Sequence, residues 1–169
     1  MKMKKNLVLI GMMGSGKSTI ARILSKKLDL ELVDIDELIE KELNCKIKDI
    51  FKKKGEIFFR KIEEKITVNS LKSKNKIIAL GGGAFMNEKI RKEISIKGVS
   101  IWLNWSEETL ISRVKHSKKR PKAYLLGKEE LSKLIKERSE IYSKADYKIN
   151  CDNLDKNQII DKIMKIYEK

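Results

Sequence analysis

Residues 11–19 read GMMGSGKST and fit the pattern G-x-x-x-x-G-K-[ST] through Gly11, Gly16, Lys17 and Ser18. The chemistry of that pattern is phosphate binding. Its glycines let backbone N–H groups from about Gly14 through Ser15, Gly16 and Lys17 to Thr19 turn inward onto phosphoryl oxygens. Lys17 brings a positive charge, and the Ser18 hydroxyl offers a hard oxygen to Mg2+. The flanking residues supply the setting the pattern needs. Residues 6–11 (NLVLIG) are a continuous apolar run, expected of a strand buried on both faces. Residues 17–28 (KSTIARILSKKL) carry Ile20, Ile23, Leu24 and Leu28 at helical spacing. The positive end of such a helix adds to anion binding. What accepts the phosphate stays open on these residues: water, a nucleotide, a protein, or a small molecule with a hydroxyl.

Two further groups bear on the acceptor. Asp34 and Asp36 stand two residues apart in VDID, at the end of a strand candidate over 30–36, where extended geometry points both side chains to one face. One acid could hold a Mg2+-bound water while the other takes the proton of an attacking hydroxyl. Asp36 also begins DELIE, where it would serve as a helix N-cap. Residues 80–85 (LGGGAF) place three glycines at the end of a strand candidate over 76–83, which allows close backbone approach to a ligand, or a plain tight turn.

The arginines are a third signal. Of 39 basic residues only six are arginine: Arg22, Arg60, Arg91, Arg113, Arg120 and Arg138. A guanidinium is a planar fork that matches a carboxylate or phosphate bidentately, which lysine cannot copy.

The elements that must position these groups alternate along the chain. Strand candidates fall at 6–11, 30–36, 76–83, 98–105 and near 146–151, with helical patterns between them. The segment 47–73 reads as helix broken near Gly55, 106–116 opens with a capping pattern at Ser106, and 117–128, with the single proline, reads as a loop. Alternation of this kind predicts an α/β domain with a parallel sheet covered by helices on both faces. Ligands of such sheets bind beyond the carboxyl ends of the strands, where the phosphate-loop glycines, the two acids and the glycine triplet all fall.

At 169 residues the chain fits one domain. Cys45 and Cys151 lie far apart without metal-ligand spacing, as expected in a reducing, cytoplasmic setting. The apolar run after MKMKKN is too short for a signal segment or a membrane span. A net charge of +15 raises the question of nucleic acid, but the lysines are scattered and form no basic stripe interleaved with aromatics. They read as a solvated surface that also attracts anionic substrates. The lone His116 and the tryptophans Trp102 and Trp105 read as bystanders, the tryptophans as core or rim packing.

Taken in order, these motifs resemble the shikimate kinase family, of the nucleoside-monophosphate-kinase-like P-loop group. The resemblance covers nearly the whole chain. It is carried by GMMGSGKST, by DID, by DIFKKKGEIFFRKIE (49–63), by LGGGA, by KRP (119–121) and by ERSEIY (137–142). It implies a three-layer P-loop kinase fold with a five-stranded parallel sheet, a substrate-binding helical segment over about 34–62 and a lid over about 115–127. It implies transfer of phosphate from ATP to the 3-hydroxyl of shikimate, in chorismate and aromatic amino acid biosynthesis, by a cytoplasmic monomer without nucleic-acid or membrane partners. Matched residue by residue, Ser18 and Asp34 take the magnesium positions, Asp34 through water. Lys17, Asp36 and Arg120 carry the chemistry, Asp36 at the acceptor hydroxyl and Arg120 from the lid. Asp36, Arg60, Gly82 and Arg138 contact shikimate, and Glu63 steadies Arg60. Gly14, Ser15, Gly16, Lys17, Ser18, Thr19, Arg113, Arg120 and Asn153 contact the nucleotide, Arg113 beside the adenine. Arg22 and Arg91 fall outside the motifs and read as surface ion pairs. The family lid usually runs R-P-L-L, whereas RPKAYLL here carries three more residues. A kinase for another small metabolite or for a nucleoside monophosphate is the competing reading. A nucleotide acceptor would want more arginines on phosphate than are available.

Overall fold

The computed structural model describes residues 5–115 and 126–168. His116, Arg120 and most of the expected lid lie outside the described residues. The elements run β1 (Asn6–Ile10), α1 (Lys17–Leu28), β2 (Glu31–Asp34), α2 (Ile35–Leu43), α3 (Ile47–Ser70), β3 (Lys76–Ala79), a short 3-10 turn (Ala84–Met86), α4 (Glu88–Lys97), β4 (Gly98–Asn104), α5 (Glu107–Lys115), α6 (Lys128–Tyr142), β5 (Tyr147–Asn150) and α7 (Lys156–Tyr167).

All five strands are parallel, in the order β2-β3-β1-β4-β5. The expected three-layer α/β fold is the one observed. β1 is central, and its alternating side chains feed two cores. Val8 and Ile10 pack with Ile35, Ile39, Phe59, Ile90 and Tyr142 from α2, α3, α4 and α6. Leu7 and Leu9 pack on the other face with Ile20, Leu24, Ile160 and Ile163 from α1 and α7. Each such fully buried aliphatic chain stabilises the fold by about 1.5–3 kcal/mol, which is why β1 reads as an unbroken apolar run. Asn6 is the buried polar exception. Its amide donates to Leu71 O and Ser73 O and its oxygen accepts from Lys76 N, so it ties the α3–β3 turn to the sheet.

The break expected near Gly55 is present. Gly55 has φ 80° and ψ 173°, a region essentially closed to residues with a Cβ, inside the long helix α3. The second half of α3 is thereby re-aimed, and its Arg60–Glu63 face turns to the carboxyl edge of the sheet. The expectation for 30–36 needs correction. β2 stops at Asp34, because the Asp34 carboxylate accepts from the N–H groups of Asp36 and Glu37 at 3.1 and 3.3 Å and caps α2. Asp34, with extended backbone, is the cap, and Asp36 is the second residue of α2, so strand alternation does not relate the two acids. The third strand likewise ends at Ala79, before the glycines.

Among the described residues no helix is long and apolar enough to cross a membrane.

Candidate active site

The loop after β1 wraps the Lys17 ammonium. Lys17 is 6% exposed, and its Nζ donates to Gly11 O at 2.8 Å, Met12 O at 2.9 Å and Ser15 Oγ at 3.4 Å. The wrap needs the left-handed backbone of Gly14 (φ 80°) and Gly16 (φ 87°), the latter standing at the N-cap of α1. Ser18 and Thr19 follow in the first turn of that helix. One expected inward N–H is engaged within the loop: Ser15 N donates to Met12 O at 3.2 Å.

Beside this loop lies the glycine triplet. β1 and β3 pair in register, Leu9 opposite Ala79, so the loops that follow them emerge side by side. The triplet's spacing is dictated by what crowds it. A Cβ on Gly81 would sit 2.7 Å from both Asp36 Oδ1 and Glu63 Oε1. On Gly82 it would sit 3.2 Å from Met13 N and 3.3 Å from Arg138 Nη1, and on Gly83 2.5 Å from Arg60 Nη2. Asp36 from α2, Arg60 and Glu63 from α3 and Arg138 from α6 therefore converge on three residues next to the phosphate loop. The sequence places these groups up to 102 positions apart, Asp36 to Arg138; the sheet edge brings them together.

The charges are arranged as a chain. Arg60 Nη1 pairs with Glu63 Oε2 at 2.6 Å and Arg60 Nη2 with Glu56 Oε1 at 3.2 Å. Glu63 is 2% exposed, and its Oε1 has no hydrogen-bond partner among the described residues. Burial pushes the Glu63 carboxyl above its usual range; the Arg60 charge works against that, and the nearby Asp36 charge adds to it. Tyr142, one helical turn beyond Arg138, donates its hydroxyl to Gly82 O and touches Met12 Sδ at 3.8 Å. Burial raises the phenol to about 12, so it remains a donor across the physiological range. Its position four residues after Arg138 was the available sign that both face one way.

The nucleotide-side candidates lie at the other end of the loop. Arg113 on α5 donates to Gly14 O at 3.4 Å, and its guanidinium carbon lies 3.7 Å from the centre of the Trp105 ring. Trp105 Nε1 donates to Ser15 O at 3.0 Å. Trp105 is thus more than packing; only its place at the carboxyl end of β4 hinted at this. Asn153 is exposed in the turn after β5. Its neighbour Asp152 holds that turn, accepting from Ser106 N, Ser106 Oγ and Thr109 Oγ1.

The arginines outside the site divide. Arg22 makes the expected exposed pair, with Glu37 at 3.2 Å. Among the described residues Arg91 makes no salt bridge; its Nη1 donates to Phe85 O and Met86 O at 2.8 Å, since the 3-10 turn before α4 presents spare carbonyls there.

A phosphate cradle thus meets a cluster of two arginines and two carboxylates, an arrangement suited to moving phosphate onto a small acidic molecule. Comparison with known proteins agrees. A shikimate kinase from Persephonella marina is 40% identical over 162 residues, which cover 95% of this chain and 97% of the relative. The structure of shikimate kinase from Acinetobacter baumannii in complex with shikimate superposes with a TM-score of 0.90 at 30% identity, covering 96% of this chain and 92% of that one. A deoxyadenosine kinase from M. mycoides with bound dATP, at 23% identity and TM-score 0.63 over 97% of this chain and all of its own, shares the fold. The profile of the shikimate kinase family matches residues 13–168, and with these likenesses across almost its full length the chain belongs to the shikimate kinase family.

Proposed function

We propose that the chain phosphorylates the 3-hydroxyl of shikimate with ATP, giving shikimate 3-phosphate and ADP, in aromatic amino acid biosynthesis. The observation that carries this reading is the convergence of Asp36, Glu63, Arg60 and Arg138 on Gly81–Gly83, beside the Lys17 loop. Arg60, Arg138 and the backbone of Gly82 hold the carboxylate and hydroxyls of shikimate, while Glu63 fixes Arg60 from beneath. Asp36 accepts the proton of the attacking hydroxyl as its oxygen bonds to the γ-phosphorus and the bond to the β-phosphate oxygen breaks. Lys17 and the N–H groups of residues 14–19 neutralise the phosphoryl oxygens, Arg120 adds its charge to theirs, and Arg113 and Asn153 contact the nucleotide.

Ser18 and Asp34 would hold Mg2+, and their donor chemistry fits. Both offer hard oxygens, a hydroxyl from the first turn of α1 and a carboxylate at the N-cap of α2. A cation with few protein ligands that shares phosphate oxygens is the pattern Mg2+ adopts. When bound, it supplies charge to the β- and γ-phosphates.

The same reading takes residues 1–169 as one domain, with a substrate-binding helical segment at about 34–62 and a lid at about 115–127. It takes the protein as a cytoplasmic monomer acting on ATP and shikimate, with no nucleic-acid or membrane partner. The test is ADP release with Mg2+ and ATP across shikimate, gluconate and nucleoside monophosphates. Shikimate should exceed the buffer background by far. A nucleotide or gluconate acting where shikimate does not would overturn the proposal.

A further inference from the structure

The indole of Trp105 belongs to the loop after β4, and two contacts of its own, with one of its partner Arg113, set it apart from ordinary rim packing. Its Nε1–H reaches across 90 residues of sequence to Ser15 O at 3.0 Å. Its face carries the Arg113 guanidinium at 3.7 Å, close enough for the flat group to lie on the ring. The same guanidinium donates to Gly14 O at 3.4 Å. The loop carbonyls thus fix both partners of the stack, the indole through Ser15 and the guanidinium through Gly14. Helix α5 is also set tight on the loop, since a Cβ on Gly14 would lie 3.4 Å from Arg113 Cβ and 3.6 Å from Val114 Cγ2. Arg113 itself is exposed while Trp105 beneath it is half-buried.

A lone exposed arginine samples many rotamers, and ordering it on a ligand costs free energy. An arginine already flat on an indole has met that cost. Its second face then offers a planar, weakly hydrated cation to another aromatic ring. We propose that Trp105 is a positioning residue for the purine base of the phosphate donor, holding Arg113 flat so that indole, guanidinium and base stack in that order. This rests on the reading of Arg113 as the base contact. It separates two tasks in one site, since the loop N–H groups and Lys17 take the phosphates and the Trp105–Arg113 stack takes the base.

The test is titration calorimetry of the whole protein, in the presence of Mg2+, with ATP and with inorganic tripolyphosphate, which has the phosphates and lacks the base. Trp105→Leu should weaken ATP by roughly 5- to 30-fold, the scale of one cation–π contact with one hydrogen bond, and leave tripolyphosphate unchanged. Trp105→Phe, which keeps a ring beneath the guanidinium, should fall between wild type and Trp105→Leu. In an Arg113→Ala background Trp105→Leu should add little, because the indole acts through that guanidinium. Equal weakening of ATP and tripolyphosphate would reduce Trp105 to a brace of the loop, and a flat ATP series would remove it from the site; either overturns the proposal. If Trp105→Leu does not fold, Trp105→Phe decides alone by whether its ATP affinity drops while its tripolyphosphate affinity holds. Arg113→Ala separates the two levels. If it leaves ATP unchanged, the base-contact reading itself is wrong. If it weakens ATP and Trp105→Leu does not, only the role of Trp105 is wrong.

Discussion

Gly81→Ala puts one methyl group where two carboxylates meet. Gly81 is not among the glycines with positive φ, so alanine suits its backbone and the effect lies in the contacts. The new Cβ would be 2.7 Å from Asp36 Oδ1 and 2.7 Å from Glu63 Oε1, whereas ordinary van der Waals contact begins at 3.4 Å. Each oxygen would therefore have to retreat by about 0.7 Å. Glu63 has little room to do so, being 2% exposed and held by Arg60 at 2.6 Å. Asp36, half-buried in the first turn of α2, is the group that yields. If Asp36 is the base, a shift approaching 1 Å at the reacting proton lowers turnover by roughly 10- to 100-fold. Overpacking of this kind also costs about 1–3 kcal/mol of stability. The assay is steady-state ADP release with shikimate, alongside calorimetry with ATP and a thermal melt. Turnover should fall with ATP affinity intact and the protein still folded. Turnover within about twofold of wild type would falsify the placement of Asp36 at the reaction centre.

Three other outcomes follow from the same geometry. Asp36→Asn should bind ATP normally and lose about 10²–10⁴-fold in turnover, whereas Lys17→Ala, which removes the ammonium wrapped by the loop, should lose ATP binding and turnover together; a turnover-competent Asp36→Asn would move the base elsewhere. Arg60→Lys and Arg138→Lys should each weaken shikimate by about 10- to 150-fold, the scale of a charge-assisted hydrogen bond, while the exposed Arg22→Lys leaves calorimetric affinities for both substrates unchanged; wild-type affinity in the first two would assign the carboxylate to other residues. Burial holds the Glu63 carboxyl above the ordinary glutamate value of 4.5 in the folded protein, so the folded state keeps this proton to higher pH than the unfolded chain does. Its contribution to stability must then decline as pH rises from about 4.5 through the folded value, and Glu63→Gln should flatten that part of a plot of thermal midpoint against pH; identical slopes would contradict the assignment.

The local determinants were legible in the sequence because they act over a few residues. The phosphate loop shows through glycines that must take left-handed backbone, as Gly14 and Gly16 do. The buried strand β1 shows as an apolar run, and the change of direction in α3 shows as Gly55. The scarcity of arginine drew attention to all six, because a planar fork has no lysine equivalent, and the family resemblance then picked out Arg60 and Arg138 among them. The spacing of DID was visible but its geometry was misread. Strand alternation lost to the Asp34 cap, a competition between two local options that only the neighbouring sheet register resolves. Long-range pairing decided the rest. Leu9 lies opposite Ala79 on one side and Ile101 on the other, so the loop after β1 is flanked by the glycine triplet and by Trp105. That register, set by burial of both faces of β1, makes Gly81 the meeting point of Asp36 and Glu63 and brings Trp105 under Arg113. No residue type or spacing along the chain encodes such meetings by itself, because each depends on where a parallel neighbour ends.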